Sequence, residues 1–594
     1  MAQAATTERR QLLAGNEAVA LAAQHSGVKM ATGYPGTPST EILETLASFG
    51  HESIVMRWAP NEKVALEVGL GSGFAGARTL VTMKHVGVNV AADPLMTAAY
   101  TGTRGGLVLI TADDPGMHSS QNEQDNRHYA RFAGLPMLEP CDSQETYDFT
   151  RRAFELSERF QTIVLLRLTT RICHSKGLVT PSKPEQVDRE YRFERDIQRF
   201  VMVPGNARKR HAALEQTLEQ LGSFSENTDL NGTVTDTEDA ELGIVAAGVA
   251  YEYVRELAPD VPVFKVGMCW PLPIEGIRRF QEAVGDLLVV EELSDFMLDN
   301  IRAAGIPARG KDRPFRLGEL SPDRVKRIIA GNPDFQPEPE ADVPPPRPPV
   351  LCPGCGHRSA FHVLKKLGLL VTGDIGCYTL GALPPLSNLD TCVCMGASVG
   401  NALGIERVTS NEEDARQVVA VIGDSTFFHS GLTGVLDAVY NGARGTLLIL
   451  DNRTTAMTGG QEHPGTGTRL DGKPAPAIDP AEACRGLGVK DVKVIDAYDR
   501  EGLEAGIRDS LDREEYSVIV CQRPCLLVHG RSETAQYRVD PERCENCGVC
   551  LRTGCPALQQ VEDHVEINHV YCAGCGLCFE VCPFDAIEQV EETQ

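Results

Sequence analysis

Eight of the chain's nineteen cysteines crowd into its last 51 residues, and their spacing is regular. Cys544-x2-Cys547-x2-Cys550-x4-Cys555-Pro556 is followed by Cys572-x2-Cys575-x2-Cys578-x3-Cys582-Pro583. Three thiolates spaced this way wrap one face of a [4Fe-4S] cubane, and the cysteine before proline ligates the other cluster. One cluster then takes Cys544, Cys547, Cys550 and Cys582. The second takes Cys572, Cys575, Cys578 and Cys555. The extra residue before Cys555 is a departure that loop variation absorbs. Zinc is the competing metal for thiolates, but two interlocked repeats that both end in Cys-Pro favour iron. Clusters of this kind reach low potentials, about −400 mV or below.

A second stretch with chemistry in it runs from Val418 to Asn452. The apolar run VVAVI ends at Gly423-Asp424-Ser425, and TLLIL ends at Asp451-Asn452, with a helical pattern between them. This is strand, turn, helix, strand, the unit of a parallel sheet, whose ligands sit outside the carboxyl ends of the strands. Asp424 and Asn452 stand at two such ends, and their oxygens suit Mg²⁺ with a phosphate. An ordinary turn with a capping Asp has the same pieces. Twenty-six residues separate Ser425 from Asn452. That spacing resembles the thiamine diphosphate motif, which opens Gly-Asp-Gly and closes with Asn; here Ser425 replaces the third glycine. Residues Asn452 to Gln461 also resemble the matching segment of the 2-oxoacid:ferredoxin oxidoreductases. The resemblance implies that Gly423, Asp424, Ser425, Asn452, Thr454 and Met457 bind the cofactor, with Asp424, Asn452 and Thr454 on Mg²⁺. Asp374 and Gly396 join this set. The glycines from Gly396 to Gly400 open a helix whose free N–H groups could hold phosphate.

The N-terminal third supplies three further candidates. Tyr34-Pro35-Gly36-Thr37-Pro38 follows a short strand and precedes a helix that Ser39 or Thr40 can cap. A structural turn is one reading; the other is the Tyr-Pro-x-Thr-Pro motif of the same oxidoreductases, which assigns Thr37 to the oxoacid. Glu62 falls in the first turn of a helix begun by Pro60 and Asn61, where a carboxylate is favourable in any protein. By resemblance it is the carboxylic acid that hydrogen-bonds the cofactor's aminopyrimidine, with Glu67 as competitor. His85 follows the strand LVTM and could be an acid or base near the substrate, or a surface histidine.

Around these residues the chain reads as several α/β domains. At 594 residues it should hold about three to five. The expected order is a pyrimidine-binding domain over 1–185, a charged connector over 186–240, and a domain like the C-terminal one of transketolases over 241–331. A proline-rich linker (332–350), a diphosphate-binding domain (351–530) and a ferredoxin-like α+β tail (535–594) follow. The net charge of −25 speaks against nucleic acid and anionic membrane as partners. No apolar run is long enough to span a bilayer, and the N-terminus lacks a signal-peptide core, so a cytoplasmic chain is expected.

Cys352-Pro353-Gly354-Cys355-Gly356-His357 could by itself be zinc, redox or incidental. In two-component 2-oxoacid:ferredoxin oxidoreductases the thiamine subunit begins similarly. The likeness implies a third [4Fe-4S] cluster on Cys352, Cys355, Cys377 and Cys525, with buried thiols or zinc as alternatives, and leaves Cys392, Cys394 and Cys521 as free thiols. The run from Gly373 to Pro385 most resembles the α subunits of the indolepyruvate branch of that family. Membership implies oxidative decarboxylation of an arylpyruvate, with coenzyme A taking the acyl group and ferredoxin the electrons. It also implies a β subunit and a dimer of αβ pairs. Pyruvate or 2-oxoglutarate as substrate, and non-oxidative decarboxylation, are the alternatives.

Overall fold

The computed structural model describes residues 10–50, 53–185, 187, 189–238, 240–331, 348–411, 417–530 and 536–590. They belong to two compact units that divide between Ala341 and Asp342. That point falls in the proline-rich stretch, most of which lies outside the described residues.

The first unit is built on a seven-stranded sheet. Its strands lie in the order Met268–Trp270, Met137–Leu138, Ile163–Thr169, Leu107–Asp113, Thr79–Lys84, Met30–Gly33 and Val55–Trp58. All neighbours are parallel except the pair at the Met268–Trp270 edge. LVLITAD and IVLLRLT are buried at every residue, as central strands of a covered parallel sheet must be. A four-stranded sheet, Asp286–Val290, Leu242–Ala247, Val263–Val266 and Asn231–Thr233, completes the unit. One apolar core runs from Leu109 and Leu165 to Val245, Val266 and Leu287, so the two sheets are packed as one body.

The stretch 186–240, expected as a charged connector, has secondary structure of its own. It contains a 24-residue helix, Pro204–Asn227, and the edge strand Asn231–Thr233. Only Leu214, Leu221 and Ser225 of that helix are buried. So narrow an apolar stripe is hidden in sequence by the charges around it.

The second unit carries a six-stranded, fully parallel sheet. Its order is Thr391–Cys392, Leu370–Gly373, Val418–Gly423, Thr446–Asp451, Ser517–Gln522 and Asp491–Asp496. The cysteine-rich tail adds two antiparallel ribbons, Gln536–Val539 with Ile587–Val590 and Leu558–Gln560 with Val565–Ile567. Among the described residues no helix is long and apolar enough to cross a membrane.

Candidate active site

In the first unit, strand Val55–Trp58 gives way to helix Glu62–Phe74. Asn61 Oδ1 caps that helix by accepting the Val64 N–H at 2.9 Å. Glu62 is thus the first helical residue, and it is only 4% exposed. Its competitor Glu67 is exposed and paired with Lys63. The Glu62 carboxyl lies against Gly87, where a Cβ would stand 2.7 Å from Oε1. Only glycine lets helix His85–Val90 come so near.

Lys84 ends strand Thr79–Lys84, directly before helix His85–Val90, and had no role in the sequence reading. It is buried, and its ammonium donates to the Ser119 carbonyl at 3.0 Å and Ser120 Oγ at 2.8 Å. Burial pulls its pKa down to about 8, against the opposing charges of Asp114 and Glu62. Gly36 packs on its side chain, which brings the Thr37 loop alongside. Thr37 is half-buried, and its carbonyl accepts Ser119 Oγ at 3.4 Å. Thr40 Oγ1 holds the loop by accepting the Gly36 N–H at 2.8 Å. Ser39 is the N-cap residue of the next helix, but its hydroxyl donates to the Gly36 carbonyl and makes no cap bond.

His85 is fully buried, so the surface-histidine alternative does not hold. Its Nε2 lies 3.1 Å from the Asn122 carbonyl. Burial, then the charge of Lys84, lowers its pKa. A carbonyl can only accept, so Nε2 carries a proton and donates it to Asn122. The polar segment from Asp113 to Arg131 is fastened by Asp114, which accepts the Ser119 N–H (2.8 Å) and the hydroxyls of Ser120 (2.7 Å) and Thr170 (2.8 Å). Farther in, buried Arg127 pairs with Asp125 and Glu291, and buried Arg167 with Asp113 and Glu139, all within 2.7 Å.

In the second unit, strand Val418–Gly423 delivers Asp424 as the first residue of the next helix, 2% exposed. Its oxygens accept the N–H groups of Ser425 (2.8 Å) and Arg453 (2.7 Å), and His463 Nε2 stands 3.2 Å away. Burial alone would raise the Asp424 pKa, but His463 and the Ser425 N–H bring it below the ordinary value. Asp451 beside it goes up to about 6, through burial and the charge of Asp424. Arg453 adopts a left-handed φ of 62°, a strained conformation for a non-glycine, which turns its N–H onto Asp424. Asn452 Oδ1 accepts the Thr454 N–H at 3.1 Å, Thr455 donates to Ser425 Oγ at 2.9 Å, and Met457 is half-exposed. An acid and an amide at two adjacent parallel strand ends, with the backbone carbonyls of the turn, offer oxygen donors of the kind that fit Mg²⁺.

Asp374, expected beside the cofactor, is hydrogen-bonded within the protein. One of its oxygens takes the N–H groups of Gly396 (3.0 Å) and Ser398 (3.3 Å) and the Ser398 hydroxyl (2.7 Å), and the other takes the Tyr378 hydroxyl. The carboxylate fixes the start of helix Ala397–Val408, where Gly396 sits at φ 84° with no room for a Cβ.

The cysteines of the second unit converge in three groups. Burial pushes the Cys377 thiol up to about 12, and neighbouring Cys355, Cys525, Cys352 and Asp424 add to the rise. The Cys525 N–H donates to the Asn452 carbonyl at 2.9 Å, so this group adjoins the Asp424–Asn452 turn. In the tail, Cys544, Cys547, Cys550 and Cys582 line one small cavity. Cys555, Cys572, Cys575 and Cys578 line another, with Gly354 and Arg358 in its wall. Thiols crowded in this way, as around Cys377 and Cys578, are a donor set which a cationic cluster core relieves. Cys392 and Cys394 are exposed and Cys521 is buried.

Comparison with known families agrees with this layout. Residues 21–222 match the model for the thiamine diphosphate-binding part of pyruvate flavodoxin/ferredoxin oxidoreductases. Residues 374–521 match the C-terminal TPP-binding domain of thiamine pyrophosphate enzymes, and 536–589 match a 4Fe-4S dicluster domain. The protein is a thiamine diphosphate-dependent 2-oxoacid:ferredoxin oxidoreductase. It is 40% identical to indolepyruvate oxidoreductase subunit IorA of Methanothermobacter marburgensis, over 98% of this chain and 97% of that one. It is 39% identical to the subunit of the same name from Archaeoglobus fulgidus, over 97% of each. The chain belongs to the indolepyruvate oxidoreductase subunit IorA family. Among solved structures, 2-oxoglutarate:ferredoxin oxidoreductase from Magnetococcus marinus aligns at 17% identity with a TM-score of 0.46, over 54% of this chain and 65% of that one.

Proposed function

We propose that this chain is the thiamine-carrying α subunit of an enzyme that converts an arylpyruvate of the indolepyruvate type to its acyl-coenzyme A. The balanced reaction is R-CO-COO⁻ + CoA-SH + 2 oxidised ferredoxin → R-CO-S-CoA + CO₂ + 2 reduced ferredoxin + H⁺. The names of its full-length relatives support the substrate. The observation that carries the oxidative chemistry is the bond from the Cys525 N–H to the Asn452 carbonyl. It sets four thiols beside the diphosphate-side turn, where a non-oxidative decarboxylase has no use for them.

Bound thiamine diphosphate supplies the nucleophilic carbon for attack on the 2-oxo group. The protein's residues orient and tune it. Asp424, Asn452 and Thr454 would hold Mg²⁺, while Gly423, Ser425, Met457 and the Gly396 helix start would frame the diphosphate. Glu62, as a carboxylic acid, would donate a hydrogen bond to the aminopyrimidine ring and so promote its imino form; Thr37 and His85 would hydrogen-bond the oxoacid. Cys352, Cys355, Cys377 and Cys525 and the two tail sets would each hold a [4Fe-4S] cluster, which would supply one-electron chemistry. A β subunit completes the enzyme, as a dimer of αβ pairs, and ferredoxin takes the electrons. The test is an anaerobic substrate panel on the complex with its β subunit and a dye acceptor. The expected result is acceptor-dependent turnover with arylpyruvates well above pyruvate and 2-oxoglutarate. Turnover that needs no acceptor, or a preference for either small acid, overturns this reading.

A further inference from the structure

Cys352-x2-Cys355 and Cys572-x2-Cys575 lie 220 residues apart in sequence and pack face to face. Gly354, at φ 71°, has no room for a side chain, because its Cβ would stand 2.4 Å from the Cβ of Ala573. The Tyr498 hydroxyl donates to the Gly354 carbonyl at 2.5 Å, and the Arg523 guanidinium lies 3.8 Å above the Tyr498 ring. Arg358 reaches the Thr553 carbonyl of the tail at 2.8 Å. The largest tie is Arg500, at the start of helix Arg500–Leu511, with its side chain 7% exposed. Two of its nitrogens grip both carboxylate oxygens of Glu580 in the tail. NH1 bonds Ser359 Oγ at 3.2 Å, in the helix that follows Cys355. NH1 and NH2 each lie 3.4 Å from the Cys575 carbonyl.

We propose that Arg500 is a positioning residue for electron transfer. It staples the tail to the Cys352–Cys355 turn and sets the charge beside the cluster held by Cys555, Cys572, Cys575 and Cys578. The proposal rests on the iron–sulfur reading of these thiols. One electron at a time passes from the Cys352 set, which is oxidised, to the Cys572 set, which is reduced. A planar fork buried against Glu580 fixes that gap with less motion than a flexible amine allows. The guanidinium favours the reduced cluster, because its positive charge faces the added electron in a poorly screened place. Glu580, 47% exposed, offsets part of that charge.

Arg500→Gln and Glu580→Gln therefore move one cluster in opposite directions. In the full α–β complex, a redox titration followed by electron paramagnetic resonance should find the potential of one tail cluster lower in R500Q and higher in E580Q. The Cys544-set cluster should be unmoved in both. Arg500→Lys should restore the potential while leaving the spin–spin coupling between reduced clusters weaker than native, because charge returns without the fork. Loosening of the tail alone cannot give shifts of opposite sign. Same-sign shifts, or no shift in iron-replete protein, overturn the proposal. If R500Q loses tail iron, E580Q and R500K decide by the same criteria. Native protein without iron overturns the underlying reading, and this proposal with it.

Discussion

Glu62 and Asp424 occupy the same kind of place. Each is the first residue of a helix behind a strand of a parallel sheet, and each is nearly inaccessible to water. Their surroundings differ. Asp424 is gripped by backbone N–H groups and His463, which favour its ionised form, the form that the proposed Mg²⁺ would need. Glu62 faces a glycine wall at Gly87, with the Lys84 charge close by. Position on the helix assigns neither role; what stands opposite the carboxyl does.

Exchanging each acid for its amide gives the sharpest break. Glu62→Gln should lower kcat by about 10²–10⁴, the size of a lost proton-transfer group, with cofactor affinity and iron content unchanged. Asp424→Asn should instead abolish Mg²⁺-dependent thiamine diphosphate binding, measured by fluorescence titration. If E62Q loses the cofactor while D424N keeps it, the two assignments are wrong.

A pair of glycines tests the wall. Gly87→Ala drives a methyl into Glu62 and should cost about 1–3 kcal/mol of stability in the first unit, with a fall in kcat. Gly71, in the same helix as Glu62, meets nothing within 4 Å, so Gly71→Ala should stabilise by about 0.5–1 kcal/mol and leave kcat alone. Thermal melts and steady-state rates read both. Equal behaviour of the two variants would show that Gly87 does not serve Glu62.

What could be read in the sequence follows the distance over which each feature is built. The tail cysteines and the Asp424–Asn452 turn are local, so spacing and apolar runs reveal them. Cys352 and Cys525 are brought together by the sheet, and only the family likeness pointed to them. The Arg127–Glu291 pair spans 164 residues, and a buried arginine has no mark that distinguishes it from a surface one. The bonds from Gly396, Ser398 and Tyr378 to Asp374 were not legible either, because they join segments up to 24 residues apart. Lys84 had a legible signal, a lysine ending a wholly buried strand, that went unused.

His463 offers the finest cut, since it touches Asp424 from a loop 39 residues away that carries no motif. Its Nδ1 accepts the Gly465 N–H at 3.1 Å, so the proton sits on Nε2 and is donated to Asp424. The ring also packs against Phe428, with centroids 5.8 Å apart. Such an outer partner holds a metal-binding carboxylate in its orientation, and its loss weakens metal binding by about 10–100-fold. His463→Ala should therefore raise the Mg²⁺ concentration needed for half-maximal cofactor binding by about tenfold. His463→Gln, which retains an N–H, should fall between it and the native protein. At saturating Mg²⁺ and cofactor both variants should recover native kcat. A kcat loss that saturation does not rescue would move His463 from supporting Asp424 to acting on the substrate, and the contrast between the two acids would then rest on more than their hydrogen bonds.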